Sequence, residues 1–146
     1  MKIIIGRTDK ADFPELYLEG LGIKIDTGAY TSAIHCHDIE EVEVDGKKRI
    51  KFQLLDPSHP KYNHKAFVLE HYTKKVIKSS TGHAEERFVI QSSILLFGNT
   101  YPIKLSLSER SDMKYPVLLG RRFLSKKFIV DPALMNLSHK YKKSQK

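Results

Sequence analysis

This chain is short of several things, and each shortage excludes a class of protein. It has a single cysteine, Cys36, in 146 residues, so no internal disulfide can staple it. Its longest apolar stretches, such as Ile94 to Phe97, fall far below the roughly 20 residues that cross a bilayer. The opening residues Met1 to Arg7 contain no signal-peptide core of adequate length, and the expectation is a soluble, cytoplasmic protein with no membrane partner. The sequence shows no internal repeat, no zinc-finger spacing, no RNA-binding signature and no glycine-rich phosphate loop. Negative charge is also scarce, with 17 Asp and Glu against 25 Lys and Arg and a net charge of +8. Such an excess suits an anionic partner. Without a nucleic-acid motif, however, it reads first as a solvated basic surface, and nucleic acid is not expected. The cations gather at Lys74, Lys75 and Lys78, at Lys126 and Lys127, and in residues 139–146, which contain no acid. That last stretch is expected to be a disordered tail behind one domain spanning residues 1–138.

Enough is left to build a core. Hydrophobic residues make up 40% of the chain and charged residues 29%, the balance of a folded domain. The periodicity is mostly two, which argues for strands. Val42 and Val44 lead into Asp45-Gly46, a favoured two-residue hairpin turn, and Ile50, Phe52 and Leu54 alternate on the way back. A second hairpin runs from Arg87 to Phe97, turns at Gly98-Asn99, and returns through Tyr101, Ile103, Leu105 and Leu107. Asp56 to Pro60 and Lys78 to His83 read as loops. Helix is credible only in short pieces, the best being Arg121 to Ser125. The fold expected is a small all-β domain with its sheet closed or sandwiched.

The chemistry centres on Asp26-Thr27-Gly28-Ala29, delivered by the alternating strand Ile23-Lys24-Ile25. An aspartate at a strand end can act as general base on a water molecule. The threonine hydroxyl can fix the loop, and the glycine, lacking a Cβ, lets another backbone approach closely. Taken alone the tetrapeptide is equally an ordinary turn. A second segment adds weight, because Tyr115 to Leu124 reads as an apolar strand, a glycine, two arginines and a short helical pattern.

In that order these two segments resemble the retropepsins, the dimeric aspartic peptidases. A closer resemblance is to a bacterial retropepsin-like family that carries the label ATP-dependent zinc protease. It rests on Gly6-Arg7, Pro14-Glu15-Leu16, Ile23 to Ala33, Arg110-Ser111-Asp112-Met113 and Leu118 to Arg122, covering most of the chain. The resemblance implies a small closed β-barrel with one short C-terminal helix. It implies a peptidase in which two carboxylates share one proton, one activating water and the other protonating the substrate. The chain holds one Asp-Thr-Gly, so the second carboxylate is expected from a homodimer with Asp26 of each copy on the axis. The catalytic set is then Asp26, Thr27 and Gly28. Ala29, Thr31, Ser32, Gly82 and Arg122 are expected to bind substrate, with Lys78 to Glu86 as a flap. Leu119 and Gly120 would support the loop, and Arg121 would make a structural ion pair, for which Asp112 is the expected acid. The resemblance further implies a functional link to an ATP-grasp glutamate ligase and hence to acidic or glutamate-rich peptides.

Two alternatives stand beside this reading. One is a binding module on the same framework that grips a peptide or protein without cutting it. The other is the zinc peptidase of the family label. His35-Cys36-His37 offers at most a local pair of imidazoles, and the chain has no His-Glu-x-x-His. No metal and no cofactor are therefore expected, and any ATP dependence would belong to a partner. Cys36 reads as a small buried residue before it reads as a nucleophile.

Overall fold

The alternation of apolar and polar residues organises the chain into strands along most of its length. The computed structural model describes residues 1–78, 81–109 and 114–145. In chain order the elements are β1 (Ile3–Ile5), β2 (Thr8–Phe13), a 3₁₀ turn (Pro14–Leu16), β3 (Leu18–Ile25), β4 (Ser32–Val44) and β5 (Lys47–Leu54). Then follow β6 (Ala66–Leu69), β7 (Thr73–Lys78), β8 (Ala84–Leu96), β9 (Asn99–Ser108), β10 (Val117–Leu119), α1 (Arg121–Leu124), β11 (Phe128–Val130) and α2 (Leu137–Ser144). The protein is mostly β, and α1 lies where a short helix was expected. No helix among the described residues is long and apolar enough to cross a membrane.

Strand pairing runs β10-β3-β2-β8-β9-β4, and β10 also pairs with β4, so the path returns on itself. Apolar side chains facing inward from this ring are buried, among them Leu21 and Ile23 from β3, Ile34 from β4, Ile90 and Ile94 from β8, and Leu105 from β9. Each such side chain contributes about 1.5–3 kcal/mol on burial. β4 is long enough to serve two partners. Its start, Ser32 to His35, lies parallel to β9, while its far half turns back antiparallel to β5. β7 joins only β8 and extends it as a two-stranded arm.

Both expected hairpins form, one with a corrected turn. Asp45 and Gly46 take the paired positive φ values, 52° and 78°, of the expected turn. In the second hairpin Leu96 pairs with Asn99, so the turn residues are Phe97 and Gly98, one position earlier than Gly98-Asn99. Phe97 tolerates a φ of 52° because its environment holds it there. Its N–H donates to Ser138 Oγ at 2.9 Å, and its ring packs against Phe128 and Tyr141.

The basic end is a second correction, since residues 137–144 form α2 where a disordered tail was expected. The buried carboxylate of Asp9, on β2, accepts the N–H groups of Ser138 at 2.8 Å and His139 at 3.0 Å. It thereby satisfies donors that a helix start leaves orphaned. Lys142 then reaches Asp12 Oδ2 at 2.8 Å. An isolated eight-residue helix would not form in water; docking on β2 supplies the stability, and that docking was invisible in a lysine-rich string.

Candidate active site

The pairing of β10 explains the site. β10 lies between β3, parallel to it, and β4, antiparallel to it. Residues 26–31 connect β3 to β4 and must therefore arch over the end of β10. Leu119, the last residue of β10, accepts the Asp26 N–H at 2.9 Å. Beyond it, the Gly120 N–H donates to Ser32 Oγ at 3.0 Å. The first N–H groups of α1 have no partner within the helix, and the arch provides them: Arg121 N–H to Ala29 O at 2.8 Å and Arg122 N–H to Tyr30 O at 3.1 Å. Only glycine fits at 120. A Cβ there would lie 2.7 Å from Tyr30 O and 2.9 Å from Ala29 O.

Within the arch, Asp26 Oδ1 accepts the Gly28 N–H at 3.0 Å and Asp26 O accepts the Ala29 N–H at 3.2 Å. The Arg121 guanidinium donates to Thr27 O at 3.2 Å and lies over the Tyr30 ring, 5.6 Å from its centre. The Asp26 main chain is thus held on both sides, and its carboxylate is anchored through Oδ1 to the Gly28 N–H. The carboxylate opens into a cleft of about 1040 Å³, whose far wall is the β7–β8 arm. Asp26, Gly28, Ala29, Thr31 and Arg121 all line this cleft. Thr27 is exposed at the crown of the arch.

The remaining expected residues are placed differently. Ser32 and Arg122 line a smaller adjoining cavity, which Thr31 also borders, and the Ser32 hydroxyl is committed to Gly120. Gly82 sits near the tip of the arm, outside the linings of both cavities. Leu119 and Gly120 are buried beneath the arch. Asp112, proposed as the partner of Arg121, lies outside the described residues, as do Arg110, Ser111 and Met113 and the flap residues Ser79 and Ser80. Among the described residues the partners of Arg121 are the Thr27 carbonyl and the Tyr30 ring.

Sequence reasoning missed the charge of the cleft. Lys24, Lys75, Lys78, Arg87, Lys114 and Arg121 line it, against the carboxylates of Asp26 and Glu85. Arg87 and Glu85 are paired at 3.1 Å. These cations come from five separate places in the chain: β3, β7, β8, the segment before β10, and α1. The one available signal was the Lys74-Lys75-Lys78 cluster, which turns out to lie along β7.

The histidines do not fit a zinc centre. His35 Nε2 meets Asp56 Oδ2 at 2.8 Å and its Nδ1 meets Ser108 O at 3.2 Å. His37 Nδ1 bonds Leu55 O at 2.7 Å, with the Tyr62 hydroxyl 3.4 Å from its Nε2. The ring nitrogens are spent on the protein, and among the described residues no three ligating side chains converge. Cys36 is wholly buried, and burial pushes its thiol up to about 12, partly offset by a backbone hydrogen bond from Ser108 and reinforced by Glu109. The thiolate needed of a nucleophile is suppressed there.

Residues 4–141 match the model of the RimB-like family, described as "Retropepsin-like aspartic endopeptidase RimB". The chain belongs to that family. A "Probable alpha-L-glutamate ligase" of Shewanella pealeana is 38% identical over 90% of this chain, and one of Parasynechococcus marenigrum is 30% identical over 90%. The chain spans less than a third of the length of these relatives, 29% and 28% respectively. A crystal structure of a Legionella pneumophila protein of unknown function (DUF785) superposes with a TM-score of 0.72 at 28% identity, covering 94% of this chain and 99% of that one.

Proposed function

We propose that this RimB-like chain is an aspartic peptidase that acts as a homodimer on acidic peptides. The observation that carries the reading is the backbone-clamped Asp26 opening into a cleft walled by cations. One arch presents one catalytic carboxylate. A second copy meeting the exposed crown at Thr27, Gly28 and Tyr30 would bring its own Asp26 into reach. Two carboxylates that close share one proton. The ionised one takes a proton from water, which attacks the peptide carbonyl. The other donates to the carbonyl oxygen and then to the leaving nitrogen. β1 and β11 pair within the chain, which directs the dimer contact to the arch and away from the terminal strands. The β7–β8 arm serves as the flap over substrate, and the path of paired strands is the closed barrel of the retropepsin type.

The cations of the cleft favour a substrate rich in glutamate, and the names of the ligase relatives point the same way. Those names also support a second reading, in which the domain holds a glutamate-bearing product for a ligase without cutting it. A titration of wild-type chain with Asp26→Asn decides between them. If two Asp26 side chains are required, hydrolysis falls as the square of the wild-type fraction. A linear fall makes each chain self-sufficient and removes the dimer, and cleavage by Asp26→Asn alone removes Asp26 from the chemistry. Folding and self-association of Asp26→Asn, followed by sedimentation, should match wild type.

A further inference from the structure

Beside the Asp26 cleft lies a smaller cavity of about 220 Å³, which shares Thr31 and Lys75 with it. Four cations line it: Lys75 from β7, Lys104 from β9, Arg122 from α1 and Lys127 just beyond α1. No carboxylate is in the lining. Among the described residues none of these four side chains forms an ion pair. Lys127 is instead held by the Phe123 carbonyl at 2.9 Å. Like charges brought together by strands distant in sequence repel, and an entering anion relieves that repulsion.

The walls narrow the choice of anion. Ile103 and Phe123 are buried apolar side chains that form part of the lining, and Gln91 offers an amide. A bare inorganic ion would use the charges and waste these walls. A carboxylate carried on methylenes uses both, with the stem on Ile103 and Phe123 and the head among the cations. Thr31 and Lys75 border both cavities, so the two adjoin and a peptide held across Asp26 has the smaller one beside it.

We infer that this cavity is a distal subsite that seats one acidic side chain, glutamate above all, of a peptide held across Asp26. The inference rests on the peptidase reading for the position of the cut. Recognition is then two-part: a bond at Asp26 and a glutamate at a fixed distance from it, with Lys104, Arg122 and Lys127 determining the second part.

Fluorescein-labelled hexaglutamate, bound to the Asp26→Asn chain and followed by anisotropy, tests this without hydrolysis. Lys104→Glu and Lys127→Glu should each weaken binding about fivefold and flatten its salt dependence. Lys140→Glu on α2 should leave binding unchanged. Lys127→Gln, with Tm as a check on folding, serves if the reversed charge disturbs the half-buried site. Replacing the glutamates singly by glutamine should reveal one position whose loss disappears in the Lys104→Glu chain, the mark of direct coupling. Unchanged affinity in the lysine variants, or no coupled position, overturns the subsite. So does a single-stranded RNA of equal charge that binds more tightly through the same lysines. Binding through these lysines with no cleavage by the native chain keeps the subsite and removes the peptidase. Asp26-dependent cleavage with KM unchanged in both lysine variants removes the subsite alone.

Discussion

Gly120→Ala adds one methyl group at the point where the arch rests on the end of β10. Its backbone angles, φ −92° and ψ 174°, suit any residue, so the whole cost is steric. The new Cβ would stand 2.7 Å from Tyr30 O, 2.8 Å from Tyr30 C and 2.9 Å from Ala29 O. All three are backbone atoms and cannot swing away as a side-chain tip would. Restoring ordinary contact moves the arch by roughly 0.5–0.7 Å. That shift strains the Arg121 N–H to Ala29 O and Arg122 N–H to Tyr30 O hydrogen bonds together. Overpacking of this kind costs about 1–3 kcal/mol, or about 3–10 °C in Tm for a chain of this size. Displacing the Asp26 carboxylate by the same amount should lower kcat/KM about 10- to 100-fold. Gly46→Ala is the contrast. Nothing lies within 4 Å of that position, but its φ is 78°, so it should cost about 1 kcal/mol and spare activity. Thermal unfolding and peptide hydrolysis are the assays. Gly120→Ala with unchanged Tm and unchanged kcat/KM refutes the reasoning.

Other consequences follow from the same contacts. Asp9→Ala strips the acceptor from the N–H groups of Lys10, Ser138 and His139; it should cost about 2–3 kcal/mol, and hydrogen exchange should show the α2 amides losing protection first. Burial pushes the Asp12 carboxyl up, but hydrogen bonds from Lys142 and the Gly20 N–H, with the charges of Lys142 and Lys61, outweigh it and hold the group below its usual 3.8. A carboxyl lowered on folding contributes stability that is complete above its unfolded value and lost as pH falls through the folded one, so acid below pH 3.8 should loosen the Lys142 end of α2, and Asp12→Asn should flatten that limb of the stability curve. The hydrogen bond to Asp12 raises Lys142 above 10.5; its contribution is present below that value and disappears as pH rises through the raised one. Cys36, with its thiol near 12, should ignore a thiol reagent in the folded chain and react only on unfolding, so rapid labelling under native conditions contradicts its burial.

The parts legible in the sequence were those that local chemistry decides. Asp45-Gly46 named its own turn because few residues accept two positive φ values in succession. Val42 to Leu54 and Arg87 to Leu107 named their strands by alternation. The turn at Phe97-Gly98 was misplaced by one residue because a phenylalanine at positive φ is unfavourable locally; Phe128, Tyr141 and Ser138, remote in the chain, decide it. β6 and β7 were not singled out as strands, because β6 is only four apolar residues and β7 is exposed and lysine-rich; pairing with β5 and β8 orders them.

The candidate site divides along the same line. Asp-Thr-Gly-Ala and Leu-Leu-Gly-Arg-Arg stood out as words, because each residue type serves a steric or chemical need of its own position. That these words interlock, with the loop of one accepting the first N–H groups of the other's helix, is a matter of β10 lying between β3 and β4. The cationic walls, the four-cation cavity and the docking of α2 are tertiary throughout. Charge acts through space, and lysines spread from residue 24 to residue 127 make a single field only after strands far apart in sequence are folded side by side.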